Sequence, residues 1–187
     1  MTDVPRIVAY ARPHGNSVWW EWYKTEEFMA YDSTEDTRKH QVRVRKLLED
    51  MSFRLLALSA IHDNSKLNDP EKEIFDEFSP KLKDSDYDSE EYKGFLKEMK
   101  VALDHHYAKN RHHPEHFGED GIRGMTLIDL LEMLADWKAA SERHASGDMA
   151  VSLHVNQTRF RVPNVLQKIL ENTAKEMGWL NEAKSGG

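Results

Sequence analysis

The chain has 187 residues, no cysteine, 26 Lys and Arg against 33 Asp and Glu, and a formal charge of −7. The missing cysteine excludes disulfides, thiolate nucleophiles, iron–sulfur clusters and cysteine-based zinc sites, so any metal must be held by imidazole and carboxylate. The acidic balance disfavours nucleic acid and anionic lipid as partners, because both call for a basic surface.

Hydrophobic residues make up 39% and charged residues 32%, the profile of a soluble globular protein. The length suits one domain with short additions and a core that needs no staples. No stretch approaches the roughly 18 apolar residues of a membrane span; the richest, Leu55 to Ile61, is interrupted by Ser59. The segment Met1 to Arg12 lacks the basic-then-apolar layout of a secretory signal, so the cytoplasm is the expected location.

Residues 1–32 read as an aromatic-rich extension packed on the core. Runs at 6–10 and 17–23 flank Pro13-His14-Gly15-Asn16, the pattern of a small β-hairpin. The tryptophans Trp19, Trp20 and Trp22 are expected to cap the core. From 33 to 180 the pattern is helical. Ser33 with Asp36 is a capping signature, and Val42, Val44, Leu47 and Leu48 supply an apolar face. Glu49-Asp50-Met51-Ser52 reads as a turn or kink before a second helix, Phe53 to Ile61. Asp69-Pro70 predicts the start of a third helix running toward Phe78. Residues 79–88 read as a loop.

Ser89 is expected to cap a fourth helix carrying Tyr92, Phe95, Leu96, Met99 and Leu103. Gly118, Gly121 and Gly124 mark an irregular segment. Thr126 with Asp129 caps a fifth helix that carries Leu127, Leu130, Leu131 and Leu134 and ends near Gly147. A last helix follows Pro163-Asn164 and stops at Gly178, a residue favoured just beyond helix ends. Residues 181–187 read as a disordered tail. The fold class is all-α.

The chemistry lies in the histidines. Five of the ten fall between 105 and 116. His62-Asp63 ends an apolar helix, where two polar side chains are costly to bury unless something satisfies them. Both can turn toward one ion if the last helical turn opens, and Lys66 follows within reach of an anion. A helix–turn–helix would return His40 beside His62. Asp136 sits in a strongly apolar helix with Glu132 one turn earlier on the same face. The chain has no phosphate-binding G-x-x-x-x-G-K-[ST] loop, no G-x-G-x-x-G and no G-x-S-x-G elbow.

Together, His40, His62-Asp63 with Lys66, and Asp136 resemble the H…HD…D pattern of the HD-domain superfamily of metal-dependent phosphohydrolases. The segment His62-Asp-Asn-Ser-Lys66 matches that superfamily's HD-x-x-K core. His106-Tyr107, Asn110-Arg111-His112-His113-Pro114-Glu115 and Glu132-Met-Leu-Ala-Asp136-Trp137 resemble an uncharacterised family of short phage and bacterial HD-like proteins. Asn156 to Phe160 and Asn172-Thr173 resemble its C-terminal end. The resemblance covers roughly residues 35–178 and implies an HD-like helical bundle.

It also implies one or two divalent transition ions (Mn, Fe, Co, Ni or Zn) held by His40, His62, Asp63 and Asp136. His106 and His113 are the best candidates for a further pair, with His105 or His112 as substitutes. The implied activity is hydrolysis of a nucleotide or similar small phosphate ester by a metal-activated hydroxide. Lys66 would neutralise charge on the phosphoryl oxygens, and Glu132 would orient a ligand. His112, Glu115 or a water would protonate the leaving group, and Arg43 and Lys138 are further candidates for touching substrate. A non-catalytic metal-containing ligand-binding module and an HD-type di-iron oxygenase are the alternatives; self-association is left open.

Overall fold

The structure, a computed structural model, describes residues 31–85, 89–143 and 147–180. The predicted hairpin, the three N-terminal tryptophans and the C-terminal tail lie outside these residues. The fold is all-α, with no strand among the described residues. The chain divides into two compact units, Met1–Val44 and Arg45–Gly187.

The helices are α1 (Thr34–Ile61), α2 (Glu71–Asp84), α3 (Glu90–Glu98), α4 (Lys100–Lys109), α5 (Leu127–Ser141), α6 (Met149–Phe160) and α7 (Asn164–Glu176). A 3-10 turn, Asn64–Leu67, joins α1 to α2, and 3-10 turns over Pro114–Gly124, broken at Gly118 and Gly121, join α4 to α5. No helix among the described residues is long and apolar enough to cross a membrane.

α1 corrects one expectation. It runs unbroken through Glu49-Asp50-Met51-Ser52, because Glu and Met are good helix formers, the penalties of Asp and Ser are small, and Ser52 Oγ donates back to the Leu48 carbonyl at 2.9 Å. The reversal that would return His40 toward His62 is therefore absent. α2 corrects another: it continues through Pro80 to Asp84 instead of yielding to a loop at 79. Proline forfeits a helical hydrogen bond there, but buried Phe78 packs on Phe95, with ring centroids 6.1 Å apart, and anchors that turn. Pro70, not Asp69, is the residue that precedes α2.

The expected fourth helix is two, α3 and α4, meeting at fully buried Met99, whose ψ of −1° bends the path. α6 occupies a stretch to which the sequence pattern assigns no element. The predicted caps of α3 and α5 are present. Ser89 Oγ accepts from the Tyr92 amide at 3.1 Å, and Thr126 with Asp129 forms a reciprocal capping box.

The main core lies among α5, α6 and α7. Leu130, Met133, Leu134 and Trp137 of α5 pack with Met149, Leu153, Val162, Leu170 and Ala174. Burying each large side chain contributes about 1.5–3 kcal/mol. Trp137 stacks on Phe160 at 6.0 Å. A second group of buried side chains, Phe78, Met99 and Ala102, lies where α2 packs against α3 and α4. Helix α5 thus spends one stripe on the core and leaves the stripe of Glu132 and Asp136 for the adjoining site.

Candidate metal centre

The end of α1 opens as the chemistry requires. Asp63 takes φ 57° and ψ 13°, a left-handed conformation that Asp tolerates better than most residues. The chain leaves the helix axis there, and consecutive side chains, His62 and Asp63, address one place. His62 Nε2 lies 3.7 Å from Asp63 Oδ2 and 3.7 Å from Asp136 Oδ1.

The segment after α4 closes over the same point. His106, on the last turn of α4, and His112, in the following loop, are each 1% exposed. Both Nε2 atoms stand 3.4 Å from Asp63 Oδ1. His106 Nε2 also lies 2.9 Å from His113 Nε2. The loop is tied to α5 by Arg111, whose Nε and Nη2 donate to the two carboxylate oxygens of Asp129 at 3.0 and 2.9 Å. Arg111 and Asp129 are positional parts of the site that sequence reasoning missed. The capping box located Asp129, but nothing signalled its second partner.

Two carboxylates, half-buried Glu132 and buried Glu71, grip the opposite ring nitrogens. Glu132 Oε1 lies 2.9 Å from His62 Nδ1 and 3.2 Å from His112 Nδ1. Glu71, which is fully buried, contacts His106 Nδ1 at 2.8 Å and His105 Nδ1 at 2.7 Å. Glu71 is a third residue that sequence reasoning missed, since it sits outside every motif and looks like an ordinary first-turn acid.

The donor atoms fall into three overlapping groups able to hold a cation: Asp63 with His106, His112 and His113; His62 with Asp63 and Asp136; and His62 with His112 and Glu132. Asp63 belongs to the first two. Within the first group, Asp63 Oδ1 and His112 Nε2 are buried and have no hydrogen-bond partner. Buried polar atoms are rarely left so, because their desolvation is uncompensated. Imidazole with carboxylate suits a divalent transition ion. The residues present fit such a group.

Charge accumulates accordingly. The carboxylates of Asp136 and Glu132 raise His62 to about 10. Burial, reinforced by His112 and His106, drives His113 down to about 3. Burial works against ionisation of Glu132 and Asp136 as well, but the imidazoles hold both carboxyls at about 2. Asp63 lies below the usual range despite burial, chiefly through Lys66, whose Nζ is 2.6 Å from Oδ2.

Several expected participants lie elsewhere. His40 is exposed on α1 and joins none of the cation-holding groups. Arg43 is exposed in the first unit. Glu115 pairs with Arg159 at 2.8 Å, Lys138 pairs with Glu142 at 3.0 Å, and His105 faces Glu71 instead of the donor cluster. His112, expected to donate a proton or to substitute as a ligand, stands among the donor atoms.

A model of a family of unknown function (DUF5662) matches residues 29–183 of the chain. No curated protein and no solved structure matches it.

Proposed function

Since the chain belongs to that family of unknown function, its activity must be argued from the site, and we propose a metal-dependent phosphohydrolase acting on a nucleotide or similar small phosphate ester. The observation that carries this reading is the convergence of His62, Asp63, His106, His112, His113 and Asp136, with two buried donor atoms unpartnered.

One or two divalent ions would be held by these residues, with Asp63 common to two of the three groups. When bound, such an ion supplies Lewis acidity toward a phosphoryl oxygen and a water. The protein's own residues do the rest. Glu132 fixes two imidazoles, and Asp136 and Asp63 present their oxygens from α5 and from the end of α1. Lys66 is partly exposed at 29% of its side chain, so its ammonium can meet a phosphoryl oxygen at the edge of the site. It is held in place by Asp63 and by the face of Phe75, 5.2 Å from the ring centroid. Without a cation the cluster is rich in carboxylate and repels phosphate; positive charge in the site reverses that sign locally. The match of His62-Asp-Asn-Ser-Lys66 to the HD-x-x-K core supports the same activity class.

The test is phosphate release from a panel of nucleoside mono-, di- and triphosphates and cyclic nucleotides, with Mn, Co, Ni, Zn or Mg added. Turnover that Asp63→Ala abolishes supports the proposal. Stoichiometric metal with no turnover on any substrate would instead make the chain a metal-containing binding module.

A further inference from the structure

Glu71 is an unusual opening residue for a surface helix. An acid in the first turn suits the helix dipole, but exposed Glu73 serves that purpose equally well. Glu71 is instead fully buried, and no lysine or arginine pairs with it among the described residues. Its three partners all come from other segments. Ser65 Oγ donates to Oε2 at 3.0 Å, His106 Nδ1 lies 2.8 Å from Oε2, and His105 Nδ1 lies 2.7 Å from Oε1. Burying a carboxylate in this way is costly and calls for a return.

We propose that Glu71 is a positioning residue of the metal centre, holding His106 in the Nδ1–H tautomer so that its Nε2 lone pair faces Asp63 and His113. The inference rests on reading the cluster as a metal centre. A carboxylate oxygen only accepts, so the imidazole nitrogen against it must donate. In neutral histidine the other nitrogen then carries the lone pair. For His106 that nitrogen is Nε2, 3.4 Å from Asp63 Oδ1 and 2.9 Å from His113 Nε2.

Asn110 does not upset this assignment. Its Nδ2 approaches His106 Nδ1 at 2.9 Å but has acceptors of its own, Ser65 Oγ and the His106 carbonyl, each at 2.8 Å. The arrangement mirrors Glu132, which grips His62 and His112 at Nδ1. Two carboxylates thus orient three imidazoles toward one place. His105 occupies the other oxygen of Glu71 and stays outside the donor groups, so it is not itself a ligand.

The experiment compares wild type, Glu71→Leu, Glu71→Gln and His105→Ala. Zinc affinity is read by calorimetry, and the His106 tautomer by long-range proton–nitrogen NMR of the metal-free protein. Wild type should carry the His106 proton on Nδ1. Glu71→Leu should lose affinity by roughly 10–100-fold, the usual cost of removing an outer partner of a metal ligand. Glu71→Gln should lose less, because its amide oxygen can serve His106 while the half-buried His105 changes tautomer. His105→Ala should bind zinc as wild type does. A proton on Nε2 in wild type, or Glu71→Leu and Glu71→Gln both binding zinc as tightly as wild type, would overturn the inference. If Glu71→Leu fails to fold, Glu71→Gln and the wild-type tautomer still decide. Failure of wild type to bind zinc would refute the metal reading itself, and the tautomer would still be measured independently of it.

Discussion

Asp63 Oδ1 and His112 Nε2 face each other at 3.4 Å, both buried and neither hydrogen-bonded. One comes from the end of α1 and the other from the loop after α4, and the contact between Arg111 and Asp129 sets that loop against α5. On the proposed metal reading, a carboxylate oxygen and an imidazole nitrogen so placed would share one cation. Asp63→Ala and His112→Ala should therefore weaken zinc binding by more than the roughly 10–100-fold that an outer partner is worth. His40→Ala should leave affinity and stoichiometry unchanged. Isothermal calorimetry on the three variants checks this.

Glu132 gives a separable prediction. Its carboxylate holds Nδ1 of both His62 and His112. Both imidazoles meet the same oxygen, Oε1, so Glu132→Gln can keep the shape but removes the negative charge that holds the two Nδ1 protons in place. Zinc affinity should fall by roughly 10–100-fold while helix content stays at the wild-type value. Circular dichroism and calorimetry on the same sample measure both quantities.

The pH dependence follows from opposed shifts. His62, raised to about 10 in the metal-free fold, binds its proton more tightly folded than unfolded. Its contribution is fully present below about 6.5 and is lost as pH rises toward 10. His113, lowered to about 3, works the other way: the unfolded chain takes up the proton, so stability falls as pH drops from about 6.5 toward 3. Glu132 and Asp136, held at about 2, add stability above their unfolded values that is lost as pH falls through about 2. Metal-free protein should thus be most stable near pH 6.5. A cation must displace the His62 proton, so zinc affinity should rise with pH from 6 to 9 and binding should release protons. Chemical denaturation across pH, and calorimetry in buffers of different ionisation enthalpy, test the two statements.

Gly124 supplies a prediction remote from the donors. A Cβ there would lie 2.7 Å from the Phe117 Cβ, and a side-chain base cannot swing aside as a flexible tip can. Phe117 in turn lies against the Arg111 guanidinium, 4.9 Å from its ring centroid. Gly124→Ala should cost about 1–3 kcal/mol by overpacking and should loosen the loop that carries His112. Urea denaturation gives the first effect, and a lowered zinc affinity the second.

Much of the helical frame was legible in the sequence because its signals are local. The caps at Ser89 and Thr126, the apolar spacing of α5 and the helix stop at Gly178 depend on neighbours within a turn or two. What was not legible depends on distant contacts. The polar run at 49–52 looks like a break, yet a helix tolerates it. Pro80 looks like an ending, yet packing of Phe78 on Phe95 carries α2 past it. In the cluster, histidine spacing alone could not separate His105 from His106, because only the packing of α4 shows that His106 is buried beside Asp63 and His113 while His105 reaches no further than Glu71. His40 illustrates the reverse: its place in a motif suggested a ligand, whereas the continuity of α1 removes the turn that would have delivered it.

The most direct measurement is an anomalous-scattering map from crystals grown with Zn or Mn. The account predicts one or two peaks among His62, Asp63, His106, His112, His113 and Asp136, with imidazole nitrogens at about 2.0–2.1 Å if the ion is zinc. A map without any peak there, with these side chains turned away from one another, would contradict it.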